Sequence, residues 1–152
     1  MRPELGRLSG ARGYGGGVSS ELCWVLLYTK PRAEVWAEMR VRKLGFATLL
    51  PRSRQRTGFG AYFPRYIFAG YREDQTLEPL ARTPGVVYVV HHGNTPALIP
   101  AEIVDRVRSR MDRRGLIEPD VAVAGAPLFA SRQRDRVRAL LQLVRPGVQV
   151  IA

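Results

Sequence analysis

Cysteine, histidine and lysine are nearly missing from this 152-residue chain: it has Cys23, His91 and His92, and Lys30 and Lys43. A lone cysteine excludes an intrachain disulfide and a thiolate metal cluster. At the head of an apolar strand, Cys23 reads as a small buried hydrophobe. Adjacent histidines at a strand end diverge, and no third ligand lies nearby, so no metal site is expected. Ser53, Ser109 and Ser131 have no visible base or orienting group. No Walker-type phosphate loop or dinucleotide glycine fingerprint occurs, and Gly58-Phe59-Gly60 is only a hinge. Glu34 and Glu38 are one helical turn apart, but their early-turn positions explain them as helix-dipole partners. Neither catalysis nor a cofactor is expected. No apolar run nears the roughly 20 residues of a membrane span, and no secretory leader is visible, so the expected location is the cytoplasm, with no membrane partner.

What is present is arginine and apolar surface. The hydrophobic share is 45%, enough for a core, and 24 basic residues oppose 13 acidic ones for a net charge of +11. The excess is almost wholly arginine, which suits bidentate phosphate contact and ring stacking. A polyanionic partner follows, nucleic acid before membrane. The competing explanation is arginine used for solubility alone. The stretch from Cys23 to Arg82 is the most informative, because it joins aromatic strands to a basic loop.

Residues 1–20 form a glycine-rich basic tail, expected to be disordered. Cys23–Thr29 reads as a buried strand. A helix then runs from Pro31 to about Leu44, with Ala33, Trp36, Ala37, Val41 and Leu44 on its apolar face and Gly45 as its C-cap. Phe46–Leu50 is a second strand, and Arg52–Ala61 a polar loop. Arg65–Tyr71 is a third strand, with Tyr66 and Phe68 on one face and Ile67 and Ala69 on the other. A short helix over Gln75–Arg82, a turn at Thr83-Pro84-Gly85 and a strand over Val86–Val90 follow. His91–Pro96 reads as a turn, and Pro100 opens a helix to about Arg113 with Ile103, Val107 and Met111 inward. The order β-α-β-β-α-β plus a helix is an α+β, ferredoxin-like arrangement. Its antiparallel sheet is covered on one face by helices, leaving the other for a partner.

Several blocks resemble, in order and spacing, the N-terminal (NGN) domain of NusG-type transcription elongation factors, with the RfaH-like antitermination branch nearest. They are Trp24–Lys30, Ala37–Phe46, Leu49-Leu50-Pro51, Phe63–Phe68, Thr83–Val86 and Gly93–Pro100. The resemblance implies an NGN domain over residues 21–116. It also implies that the exposed sheet face grips the clamp helices of RNA polymerase through Tyr28, Tyr66 and Phe68. Rigid rings suit that task, although one or two of them would equally serve as core, Phe68 above all. His92 stands where relatives place a further aromatic, and Thr76 marks the contact across the polymerase cleft. The loop between the second and third strands corresponds to the family's β-hairpin element, so Arg52, Arg54, Arg56 and Arg65, with Phe59 or Tyr62 nearby, would face non-template or upstream DNA. From residues alone, a solvated charge run reads as well. The implied function is processive elongation by bridging the cleft and suppressing pauses.

The resemblance fails after a linker over residues 117–130. Relatives carry a small β-barrel, the KOW domain, that recruits a ribosomal protein or Rho. Here Asp135–Arg138 resembles its first strand and Pro146–Val150 a distorted continuation, too little chain for a barrel. Residues 131–152 are therefore either a truncated KOW or a helix packed on the first domain, with Val137, Leu140, Leu141 and Val144 as its apolar stripe. A helix of that kind masks the polymerase-binding face in RfaH-like proteins. The alternative functions are a general RNA- or single-strand-binding module, whose glycine-aromatic signature is not found, and a small nuclease, whose clustered carboxylates are not found.

Overall fold

The computed structural model describes residues 21–118 and 127–146. The expected tail over residues 1–20, most of the linker, and the KOW-like residues 147–150 lie outside them. The first elements are β1 (Cys23–Thr29), α1 (Glu34–Lys43), β2 (Ala47–Leu49), β3 (Arg52–Gln55), β4 (Gly58–Ala61) and β5 (Tyr66–Tyr71). Then come α2 (Glu78–Ala81), β6 (Val86–Val89), β7 (His91–His92), β8 (Thr95–Ile99), α3 (Ala101–Arg110), α4 (Gln133–Leu143) and β9 (Arg145–Pro146). Helices and an antiparallel sheet in one chain make the class α+β, as expected.

The main sheet runs β2-β5-β1-β8-β7, with β6 also beside β1 and β9 beside β8. β6 and β8 share one edge of β1, where Leu27 faces Val89 and Trp24 faces Ile99. Between them the chain makes a β7–β8 hairpin, with His91 opposite Pro96 and His92 opposite Thr95. Gly93 takes a left-handed φ of 60° in its tight turn, a conformation glycine adopts without steric cost. The sequence reads His91–Pro96 as a bare turn because the two residues of β7 show no alternation, and it assigns no strand to β8.

Strand alternation divides the interior into two layers. Val25, Leu27, Ile67 and Ala69 meet Ala37 and Val41 of α1 and Leu80 of α2. Trp24, Leu26 and Phe68 face the other way and cluster with Ile103, Val104 and Val107 of α3, Leu140 of α4 and Phe129 in the segment before α4. The expectation of one open sheet face is thereby corrected. Three large side chains in a row need cover, and α3 and α4 supply it. Only one end of that face stays accessible.

Other expectations shift for local reasons. Trp36 of α1 is 62% exposed rather than core, with the Arg40 guanidinium 4.6 Å from its ring. Leu44 is half exposed as well. α1 meets the Thr83–Gly85 turn through small residues: a Cβ on Gly85 would lie 3.3 Å from that of Ala37 and 3.6 Å from that of Ala33. That close approach narrows the buried stripe and leaves Trp36 beyond its edge. Gly45, at φ 98°, ends α1 and donates its N–H to Arg42 O, as the C-cap reading requires. Glu38 is buried, accepting from the Thr48 hydroxyl and pairing with Arg42 at 3.2 Å, which is a more specific task than dipole compensation. Cys23 is exposed, not buried. α2 begins at Glu78, three residues later than expected.

The C-terminal segment is helical. Asp135–Arg138, which resembles a first KOW strand, lies inside α4. Leu140 is fully buried, and Val137, Leu141 and Val144 pack against the same cluster, so the predicted stripe is the packed face. After α4, Arg145 and Pro146 pair with Leu98 and Ala97 of β8.

Candidate functional site

Three tyrosines meet at the accessible end of the sheet face. The β1–β5 register sets Tyr28 opposite Tyr66, and the β1–β6 register sets Tyr28 opposite Tyr88. The ring centroids of Tyr28 and Tyr66 are 5.2 Å apart, tilted at 50°, and those of Tyr28 and Tyr88 are 4.9 Å apart and nearly parallel at 27°. Tyr28 and Tyr66 are half-buried and Tyr88 is exposed. Offset and tilted ring pairs of this kind add to the contact beyond buried area.

Arg65 completes the cluster. It occupies a left-handed φ of 73° in the turn before β5, a strained conformation for a residue with a side chain. Glu34 of α1 holds that turn by accepting the Arg65 backbone N–H at 2.8 Å. The Arg65 Nε donates to Thr29 O at 3.0 Å, which fixes the guanidinium 4.3 Å from the Tyr28 ring. The Tyr66 phenol is pushed above its ordinary pKa by burial first, then by Tyr88 and Tyr28, against the opposing pull of Arg65. It stays neutral at physiological pH and can donate a hydrogen bond.

The expected grip is thus redrawn. Tyr28 and Tyr66 stand together, as the sequence placed them. Phe68 does not join them: it is fully buried and meets Phe63 edge-on at 6.0 Å. Its place in the strand alternation is as predicted, but the end of the face it occupies lies in the cluster shared with α3 and α4. His92 is exposed on the β7–β8 hairpin, and no ring contact joins it to the tyrosines. Thr76 is exposed in the segment before α2. Arg65 belongs with the tyrosines and not with the arginine loop, because its turn lies at the start of β5.

Tyr88 went unnoticed in the sequence for a structural reason. The register slips between Tyr28 and Thr29, so Val86 pairs with Thr29 and Tyr88 with Tyr28, leaving Val87 as the extra residue of a β-bulge. Plain alternation would put Tyr88 on the same face as Val86, which packs in the opposite layer. The bulge turns it to the tyrosine side.

The stretch read as a polar loop over Arg52–Ala61 is a two-stranded hairpin, β3 with β4. Arg52 and Arg54 point to one side of β3, and Arg56 lies in its turn. Arg54 faces Phe59 across the hairpin with its guanidinium 5.6 Å from a ring that is 53% exposed. Phe59 is therefore the available aromatic. Tyr62, the other candidate, is buried.

Tyr62 instead receives Arg136 of α4, which is only 3% exposed. The guanidinium lies 3.9 Å from the Tyr62 ring. Its Nε donates to Tyr62 O, and its Nη1 to Ala130 O and Ser131 O, each at 2.9 Å. Burial lowers the Arg136 pKa, partly offset by Tyr62. Sequence reasoning missed this residue because it looked for apolar anchors on α4.

No group of three or more His, Cys, Asp or Glu side chains able to hold a metal occurs among the described residues, and none of their helices is long and apolar enough to cross a membrane. The family described as transcription termination factor NusG matches residues 22–108 of the chain. No curated protein matches it.

Proposed function

The chain belongs to the NusG family of transcription factors, and from that premise we propose that its tyrosine cluster grips RNA polymerase. Tyr28, Tyr66 and Tyr88 dock on the clamp helices of the large subunit, with Arg65 holding Tyr28 in place. The observation that carries this reading is the exposed ring cluster built across β1, β5 and β6. Aromatic anchors lose little side-chain entropy on binding and dominate interface energetics. With the clamp held, the domain bridges the cleft and favours processive elongation with less pausing. The strand order β2-β5-β1-β8 supports retaining the ferredoxin-like description of the NGN domain.

In the same reading the β3–β4 hairpin meets non-template or upstream DNA through Arg52, Arg54 and Arg56, and α4 limits access to the Phe68 end of the face. The RfaH-like branch is favoured by the helical state of α4. A base-stacking RNA module is a weaker reading, because Tyr28 already contacts Arg65, Tyr66 and Tyr88.

Binding of the full chain to core RNA polymerase tests the grip. Tyr28→Ala with Tyr66→Ala should weaken binding by roughly 30-fold or more, the loss of a hot spot worth about 2 kcal/mol. Tyr88→Ala should weaken it by about 3- to 10-fold. Equal binding of wild type and the double variant, both folded, would remove the grip from this face.

A further inference from the structure

We propose that the cleft at the foot of the β3–β4 hairpin binds phosphates of the DNA strand that the hairpin contacts, so that hairpin and cleft form one continuous track. The inference deepens the hairpin's assignment to DNA and rests on it. The cleft, of about 310 Å³, lies between the end of α1, β2 and the turn after α3. Arg42, Arg52, Arg113 and Arg114 line it.

Three features make these arginines a site and not a scattered surface charge. First, the carboxylates in the cleft are already engaged. Glu38 is buried and holds Arg42 and Thr48. Asp112 accepts the backbone N–H groups of Arg114 at 2.8 Å and Leu116 at 2.9 Å. Among the described residues, Arg52, Arg113 and Arg114 make no ion pair with a carboxylate. Second, arginine charge reaches the Asp112 carboxyl. The Asp112 carboxyl is held below its ordinary range by those backbone bonds and by the fields of Arg114 and Arg54.

Third, the turn and the hairpin are one rigid unit. Arg52 N donates to Gly115 O and Ile117 N donates to Arg52 O, both at 2.8 Å, giving a parallel bridge between Arg52 and Leu116. Gly115, at φ 81°, shapes that tight turn. The backbone carrying Arg113 and Arg114 is therefore joined to the base of the hairpin that carries Arg54 and Arg56. From Arg52 to Arg56 the extended strand covers about 13 Å, at roughly 3.3 Å per residue. A track of that length spans several phosphates. Arginine clamps phosphate oxygens in two-point fashion without a base preference.

The test is the salt dependence of binding between the full chain and a fluorescein-labelled single-stranded oligodeoxynucleotide, read by polarisation. Arg113→Gln with Arg114→Gln should reduce the slope of log K against log salt by about 1.4, since each single-strand phosphate contact contributes about 0.7. Arg113→Lys with Arg114→Lys should keep the slope near wild type, which separates lost charge from lost fold. Arg134→Gln with Arg138→Gln on α4 removes the same charge elsewhere and should leave the slope unchanged. An equal loss from that α4 pair would overturn the cleft in favour of bulk charge. An unchanged slope in the Arg113, Arg114 variant, with a reduced slope in Arg54→Gln with Arg56→Gln, would overturn the cleft while the hairpin stands. The reverse pattern would uphold phosphate binding in the cleft and withdraw the hairpin's assignment. A slope loss seen with RNA of the same sequence and not with DNA would overturn the assignment to DNA.

Discussion

Arg65 lies 4.3 Å from the centre of the Tyr28 ring and Arg136 lies 3.9 Å from that of Tyr62, yet the two pairs occupy opposite environments. Arg65 is half-exposed, at the rim of a ring cluster open to solvent. It spends one donor on Thr29 O and leaves the remaining guanidinium face available. Arg136 is buried, and three carbonyl oxygens accept from its Nε and Nη1. The same cation–ring contact positions a surface in one case and ties a helix to the domain in the other. What separates them is desolvation: a buried cation without a carboxylate is tolerable only when dipoles replace its water. The exposed pair needs no such compensation, and its energy is modest.

Substitutions that break the buried pair should cost most. Arg136→Ala leaves the carbonyls of Tyr62, Ala130 and Ser131 without their donor and opens a void over the Tyr62 ring. Stability by urea titration should fall by about 3 kcal/mol. Arg136→Met, which refills the space, should lose less. A loss below about 1 kcal/mol for Arg136→Ala would mean the buried contact resembles the exposed one.

The exposed pair should show the smaller effect, with a backbone signature. Arg65→Ala removes the ring contact and should cost about 1 kcal/mol. Arg65→Gly loses the same contact but accepts φ 73° without strain, so it should be about 1 kcal/mol more stable than the alanine variant. Equal stabilities would show that this turn stores no strain. Both variants should weaken polymerase binding alike, because both release Tyr28.

The smallest effect is alkaline. Burial is the main cause of the raised pKa of Tyr62, Tyr66 and Tyr71. The folded state therefore prefers the neutral phenols. Their contribution is complete below the ordinary phenol pKa of about 10 and is lost as pH rises through the higher folded values. The urea midpoint should fall above about pH 10. Tyr66→Phe should reduce that fall, and a midpoint flat to higher pH would contradict the burial of these rings.

Much of the architecture was legible because large residues mark it. The alternation of Trp24, Leu26 and Tyr28 against Val25 and Leu27 announces β1, and the stripe Val137, Leu140, Leu141 and Val144 announces α4. The tyrosine cluster was partly legible. Tyr28 and Tyr66 were found, but Phe68 was placed on an open face because sequence cannot show that α3 and α4 cover it. Tyr88 was hidden by the Val87 bulge. The β3–β4 hairpin was legible through the family resemblance and not through its residues, because Arg-Ser-Arg-Gln carries no apolar alternation; its pairing comes from backbone bonds that bear no compositional trace. Trp36 misled in the opposite sense, as helical spacing assigned it to a core that the close approach at Gly85 excludes.

Among the described residues, the sheet's outer strands are short: β6 has four residues, β2 three, and β7 and β9 two each. Pro146 in β9 sits opposite Ala97 and has no N–H to offer a further strand, and its neighbour Arg145 is charged. Long, flat, apolar edges recruit strands from other molecules, whereas brief edges carrying proline and charge do not. The segment after α4 thus gives β8 a short outer neighbour. Among the described residues, the short edges with their proline and charge are poor templates for sheet growth between molecules.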